Sequence, residues 1–207
     1  MWEKDSISDE YKDESVVLCP EELMIPRVNG ALGLLDGYDY VGWVADDNRF
    51  ETVGWDEQVI SALSKVPIVF CNDVVSPGSK PSHVFMDARI PRALGWLLLP
   101  ELHSAFFDDV WANLGVGPID VSGPLFRPTS TTFDFRRSGL GIAYLAEVRV
   151  NHLYVEKDNA ISFRKDMERY RAWLRNEAED DIGRARGSLR SRRDALRSSS
   201  PALSGAQ

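Results

Sequence analysis

The sequence predicts an α/β sandwich. Two short runs, residues 40–45 (YVGWVA) and 67–71 (PIVFC), are almost wholly apolar, as strands covered on both faces are. Segments with apolar residues at helical spacing lie before, between and after them. The resulting order, strand-helix-strand-helix-strand, is the alternation that lays helices over a sheet. With 207 residues, 43% hydrophobic and 27% charged, the chain falls in the globular range and is long enough for one well-packed domain.

Taken in order, residues 15–19 (SVVLC) read as a short strand. Residues 21–35 carry Leu23, Met24, Val28, Ala31, Leu32 and Leu35 at helical spacing. Gly37 ends that helix, as a residue tolerant of positive φ does. Residues 40–45 follow as a central strand, 55–63 as a second helix and 67–71 as a second buried strand. Residues 74–81, with Pro77, Gly78 and Pro81, form a turn-rich loop ahead of a short strand at 83–86. Residues 90–98 and 104–114 read as helices, and the Gly-, Pro-, Ser- and Thr-rich stretch 115–141 as a functional flap. In residues 144–155, Tyr144, Ala146, Val148, Val150, His152 and Tyr154 alternate with mostly polar neighbours, which predicts a strand with those six on one face. Phe163, Met167, Tyr170 and Leu174 mark a last amphipathic helix. The expected organisation is a disordered acidic leader (1–14), one domain (15–181) and a largely disordered arginine-rich tail (182–207).

Charge is unevenly spread. The chain carries 24 basic and 32 acidic residues, a net −8. From residue 182 onward six arginines face only Asp194, +5, which leaves 18 basic against 31 acidic residues, −13, in the remainder. An acidic body repels phosphates, so no nucleic acid partner is expected for the domain. The arginine tail reads as a solvated helix, with an RNA or acidic-partner contact as the other reading. No apolar run approaches the ~20 residues of a membrane span. The acidic opening is no signal peptide. Cys19 and Cys71 make neither a disulfide framework nor a zinc site, so a reduced, cytoplasmic protein is expected.

Chemistry gathers at three places. The first is ADDNRF, residues 45–50, directly after the apolar run 40–45. Open α/β sheets bind ligands at the carboxyl ends of their strands. Asp46, Asp47 and Asn48 there offer hard oxygens of the kind Mg²⁺ and Mn²⁺ prefer, against the plain reading of Asp-Asp-Asn as a solvated turn. The second is FFDDVW, residues 106–111, where Asp108 and Asp109 stand among bulky apolar residues. Desolvation raises a carboxylate's pKa, so either is a candidate general base, and an exposed helix edge is the alternative. The third is His152, a metal ligand if it meets the carboxylates and otherwise a core histidine. His83 and His103 lack companions at ligand spacing and are expected on the surface or in loops.

Read together, residues 27–50 (RVNGALGLLDGYDYVGWVADDNRF) resemble the middle of a nucleotide-sugar glycosyltransferase of the A-type fold. The likeness continues through GWD (54–56), FCND (70–73), RALGW (92–96), LHSAFFDDVWANLG (102–115) and VNHLYVEKDNA (150–160), in the order found in small bacterial and phage-associated members. It covers roughly residues 15–175. The resemblance implies a single three-layer sandwich with a mixed, mostly parallel central sheet, shortened at its N-terminal, nucleobase-binding end. It also implies a Mn²⁺- or Mg²⁺-dependent transfer, with inversion, from a nucleoside-diphosphate sugar to a hydroxyl of a glycan or protein acceptor. By position, Asp46 would hold the ribose, Asp47, Asn48 and His152 the metal, and Asp108 and Asp109 the base function. Arg27, Asn29, Asn72 and Asp73 would line the donor site.

The sequence departs from the family in its missing first strands, in Tyr154 where a second histidine often stands, and in residues 121–141. A truncated, catalytically silent binding or assembly module is therefore the alternative, with a second copy or partner chain covering the sheet edge that the shortening exposes. A sugar-phosphate nucleotidyltransferase is disfavoured, since the Gly-rich, lysine-containing opening of those enzymes is absent.

Overall fold

Helices form where an apolar stripe can be buried, and residues 55–63 show the rule most simply. In the computed structural model, which describes residues 24–45, 48–75, 77–78, 81–103, 105–117, 132–133, 139–152 and 160–199, helix α2 spans Trp55–Leu63. It starts after Gly54, whose φ of +69° suits glycine, and carries Asp56 and Glu57 in its first turn, where acids complement the helix dipole. Val59 and Leu63, four residues apart, are its buried face. The expected strand at 15–19, Asp46, Asp47, Tyr154 and most of the 115–141 stretch lie outside the described residues.

The remaining helices are α1 (Met24–Gly30), α3 (Arg89–Leu94), α4 (Phe107–Val116), α5 (Ala160–Asn176) and α6 (Ala178–Ser199). The helix expected over 21–35 is α1 followed by a tighter 3₁₀ turn, Ala31–Leu35, and Gly37 at φ +93° does end the segment. The strands are β1 (Tyr40–Trp43), β2 (Asn48–Phe50), β3 (Ile68–Asp73), β4 (Val84–Asp87), β5 (Thr132–Phe133) and β6 (Ile142–His152). They form one sheet in the order β1-β4-β3-β6-β2, with β5 also on β6.

The sheet is mixed, but it is not mostly parallel. Of five pairings only β3 with β6 is parallel; the other four are antiparallel. The reason is local: β3 returns into β4 through a loop too short for a crossover helix, and a return of that length makes antiparallel neighbours. The run 40–45 is also not a central strand among the described residues, where β1 pairs with β4 alone. It is apolar because both faces are covered: Val41 and Trp43 pack into one core, Tyr40 and Val44 into the other. At its middle, Gly42 lies under the ring of its cross-strand partner Phe85, where a Cβ would fall 2.4 Å from the ring.

Two cores lie on the two faces of the sheet, so helices cover both sides, as a three-layer sandwich requires. The larger joins Ile68 and Phe70 to α3, α4, α5 and α6 through Ile90, Trp111, Trp173 and Ile182. The smaller packs Val69, Cys71, Val148 and Val150 against Val59 and Leu63 of α2. Strand β6 changes faces on the way. Cys71 lies opposite Leu145 but Asn72 lies opposite Arg149, so β6 carries three extra residues at a bulge. An odd insertion flips the side-chain parity. Tyr144 therefore packs on the larger core while Val148 and Val150 face the smaller one. The single six-residue face expected from the alternation is thus broken at the bulge.

The arginine-rich tail is ordered structure at its start. Residue 182 falls inside α6, and Ile182 and Ala185 belong to the larger core at 2% and 0% exposure. Arg89 forks onto Asp87 (Nε–Oδ1 2.8 Å) and donates to the Leu189 carbonyl at 3.0 Å, which ties β4 and α3 to α6. Only the helical spacing of Ile182, Ala185 and Leu189 marks this burial in the sequence, and the arginines obscure it.

The last turn of α4 depends on a missing side chain. The Leu114 and Gly115 carbonyls accept from Leu140 and Gly141 N–H groups at 2.9 Å each, which satisfies two helix-end acceptors. A Cβ on Gly115 would fall 2.6 Å from that of Ile142. Gly115→Ala would gain about 1 kcal/mol of helix propensity but lose about 1–3 kcal/mol to overpacking. We expect net destabilisation, read as a lower urea midpoint with an unchanged m-value.

Candidate functional site

Strand direction decides where the chemistry collects. Strand β4 runs antiparallel to both β1 and β3, so β1 and β3 point the same way, and β6 runs parallel to β3. The carboxyl ends of β1, β3 and β6 therefore share one edge of the sheet. The ADDN turn follows β1, Asn72 and Asp73 end β3, and His152 ends β6.

The turn after β1 is closed by Asn48. Its Oδ1 accepts the Ala45 N–H at 2.8 Å, and its own N–H donates to the Ala45 carbonyl at 3.2 Å. The chain then enters β2, which lies on β6 with Asn48 directly opposite His152 and Phe50 opposite Val150. Phe50 stacks on Trp55 with ring centroids 3.9 Å apart, which fixes this short strand to α2.

From the other side β3 arrives at the same place. Asp73 is the register partner of Val150, two residues before His152, and the next residue, Val74, donates its N–H to the Val150 carbonyl at 3.0 Å. Asp73 is buried; its Oδ1 accepts the Val75 N–H at 2.9 Å and its Oδ2 lies 3.8 Å from Nε2 of His83. His83 is fully buried, not on the surface, because its carbonyl accepts the Cys71 N–H and so extends the β3–β4 ladder inward. Asn72 donates to the Ala146 carbonyl at the bulge at 2.8 Å, while its Oδ1 is buried without a hydrogen-bond partner among the described residues.

The acid pair sits elsewhere, on the first turn of α4. Asp108 and Asp109 are half-buried there, in the first turn of the helix. The preceding residue, Phe106, holds a left-handed φ of +68°, uncommon for an aromatic side chain. Two contacts compensate. The Phe106 ring stacks on Tyr170 of α5 at 5.3 Å, and the fully buried Asp166 of α5 accepts the His103 and Ala105 N–H groups at 2.9 Å each. Burial first, and then the charge of Asp109, push the Tyr170 phenol up, so it stays protonated and accepts from Nδ2 of Asn113 at 2.7 Å.

The other two predicted donor-site residues belong to α1. Arg27 is half-buried there. Asn29 is fully engaged with main chain: Nδ2 donates to the Leu98 carbonyl at 2.7 Å, and Oδ1 accepts from Leu97 and Leu98 at 2.8 and 2.9 Å. It fastens α1 to the chain beyond α3. The structure thus brings Asn48, Asn72, Asp73 and the His152 position together at one edge. Asp108 and Asp109 stand on α4, and Arg27 and Asn29 on α1. Sequence reading missed His83 and Asp166, since a lone histidine and a helical aspartate carry no local sign of burial.

Among the described residues no group of three His, Cys, Asp or Glu side chains is arranged to hold a metal ion. Asp46 and Asp47 lie outside those residues, as does the His152 side chain. No family model, curated protein or solved structure matches the chain.

The buried groups give two testable outcomes. Asp166→Ala removes a buried acceptor and leaves the His103 and Ala105 N–H groups unpaired, an expected loss of about 3 kcal/mol in chemical denaturation. Burial also pushes the Cys71 thiol up from 9.0 to about 12. Its folded pKa lies above its unfolded one, so stability is intact below pH 9 and falls between pH 9 and 12 as the unfolded thiol ionises. The slope for that one group is about 1.4 kcal/mol per pH unit. Cys71→Ala should flatten the alkaline limb of a denaturation series by that amount.

Proposed function

We propose that the chain is a glycosyltransferase that moves a sugar from a nucleoside-diphosphate sugar to an acceptor hydroxyl with inversion. The observation that carries this reading is the shared carboxyl edge, where the ADDN turn, Asn72–Asp73 and the end of β6 meet and Asn48 stands opposite His152. Open α/β sheets bind their ligands at such edges. An acidic turn there suits a nucleotide diphosphate only with a cation between them, since bare carboxylates repel phosphate.

The donor chemistry fits that cation in kind, as oxygens with one imidazole suit Mn²⁺ or Mg²⁺. Asn48 already spends its Oδ1 on the Ala45 N–H, so its part is to shape the turn, and Asp47 and His152 remain as the side chains that would hold the ion. When bound, the ion neutralises the charge that develops on the leaving diphosphate. Asp46 orients the ribose, and Asn72 and Asp73 border the donor sugar. Asp109, in the first turn of α4, would be the group that accepts the proton of the attacking hydroxyl, with Asp108 beside it. Asp166 acts one step back, by fixing residues 103 and 105 ahead of the α4 turn that carries the acid pair. The alternative, a silent glycosyltransferase-like module, draws on the turn-closing bond of Asn48.

The two readings separate in a calorimetric titration of uridine, guanosine and thymidine diphosphates with and without Mn²⁺. Manganese-dependent binding of one nucleotide, lost in Asp47→Ala, is expected. Asp109→Asn should keep that binding and lower transfer at least about 100-fold. Absence of binding at millimolar nucleotide overturns the enzyme and leaves the module.

A further inference from the structure

We propose that the surface at the head of α4 is a sugar-binding site, with the exposed ring of Phe163 as the platform on which a neutral pyranose stacks. In the transfer proposed above that sugar is the acceptor, and this role, though not the binding, rests on that reading. Phe163 of α5 is 48% exposed, and its ring lies 5.0 Å from that of Phe106, the residue that precedes α4. One helical turn along the same face of α5, the fully buried Asp166 holds Nδ1 of His103 at 2.8 Å. Half of the His103 side chain stays exposed, and its Nε2 has no partner among the described residues. An aromatic platform and an imidazole nitrogen thus stand beside the helix turn that carries Asp108 and Asp109.

Both groups are held firmly. Among the described residues only Glu101 and Phe106 take left-handed φ values without being glycine, +72° and +68°, and they bracket the segment that carries His103. Such backbone is costly and persists only where its surroundings fix it. Helix α5 fixes it along its length. Phe163 and Tyr170 pack on the Phe106 ring, and Asp166 accepts the His103 and Ala105 N–H groups. Arg169 reaches the Glu101 carboxylate at 3.1 Å and the Pro100 carbonyl at 3.2 Å. The ring and the imidazole are therefore in place before any ligand arrives, and a preformed site loses little entropy on binding.

The chemistry of the ligand follows from what the surface offers. Both Asp166 oxygens accept main-chain N–H groups, so the carboxylate is an acceptor and His103 Nδ1 carries the proton. Nε2 of the neutral ring is then an acceptor that needs a donor from the ligand. The phenyl face of Phe163 needs an apolar face. A pyranose has both counterparts, a face of C–H groups and a rim of hydroxyl donors, whereas a purely apolar ligand would leave Nε2 unpaired. Charge selects against ions. Asp108 and Asp109 disfavour an anion, and the exposed Arg164 and Lys165, which follow Phe163 in the chain, disfavour a cation.

The test is saturation-transfer NMR of the full chain with the methyl glycosides of β-glucose, β-galactose, N-acetyl-β-glucosamine and α-mannose at millimolar concentration. One of them is expected to bind, with transfer strongest to the C–H protons of one ring face, and to move the nitrogen resonance of His103 Nε2. Phe163→Leu keeps an apolar side chain against Phe106 but has no flat face. It should fold as the unaltered chain does and lose at least about tenfold in affinity, while Phe163→Tyr and Asp47→Ala keep the binding. Absent binding of every glycoside, equal binding by Phe163→Leu, or an unmoved Nε2 resonance overturns the site. So does binding of a lysine-rich peptide with none of the glycosides. Manganese-dependent nucleotide binding without glycoside binding overturns this site alone. Glycoside binding without nucleotide binding keeps the site and removes its role as acceptor seat.

Discussion

Strands β3 and β6 run side by side in the same direction although β4, α3, α4 and β5 come between them in the chain, and this pairing sets the layout of the molecule. It fixes which edge of the sheet collects strand ends and which collects strand beginnings. It also places both cores, since alternate residues of β3 feed each: Ile68 and Phe70 one, Val69 and Cys71 the other. The bulge in β6 is part of the same constraint. Without the three added residues, Val148 and Val150 would point away from α2, and Asn72 would lose the Ala146 carbonyl that holds the end of β3. Bulges of this kind re-aim side chains near functional edges.

The two edges differ in charge because different segments border them. Among the described residues, Asn48 after β1 and Asn72 and Asp73 at the end of β3 stand at the carboxyl edge. The amino edge receives α6, and with it arginines that the sequence otherwise holds apart from the acidic body. Buried polar groups keep the connecting segments in place. Asn29 and the Asp87–Arg89 pair spend their hydrogen bonds on main chain or on one another, and Asp166 holds both main chain and the His103 ring, so they specify geometry.

Much of the architecture is legible in the sequence, and the misreadings have physical causes. Residues 55–63 are legible to the residue, because Val59 and Leu63 leave no other period and Gly54 marks the start. The short strand ending at Asp87 is visible in its apolar run. Strand β1 reads as central because apolarity on both faces reports covering layers and says nothing of edges. The alternation through residues 144–155 conceals the bulge, since an odd insertion leaves the letters alternating while the faces exchange. At the candidate site, ADDN and Asn72–Asp73 stand out as polar punctuation after apolar runs. His83 and Asp166 do not, for their partners come from distant segments.

The larger core draws on Ile25 near its beginning and Ala185 near its end, with Ile68, Trp111 and Trp173 between. During synthesis that core cannot close until α6 has left the ribosome, because Ile182 and Ala185 supply part of its wall. The parallel strand pair also waits for β6, and contacts of such long sequence separation form slowly. The nascent chain therefore spends its translation with Phe70, Trp111 and neighbouring apolar residues uncovered. The acidity of its first two-thirds then has a second use, as mutual repulsion between nascent copies whose cores are still open.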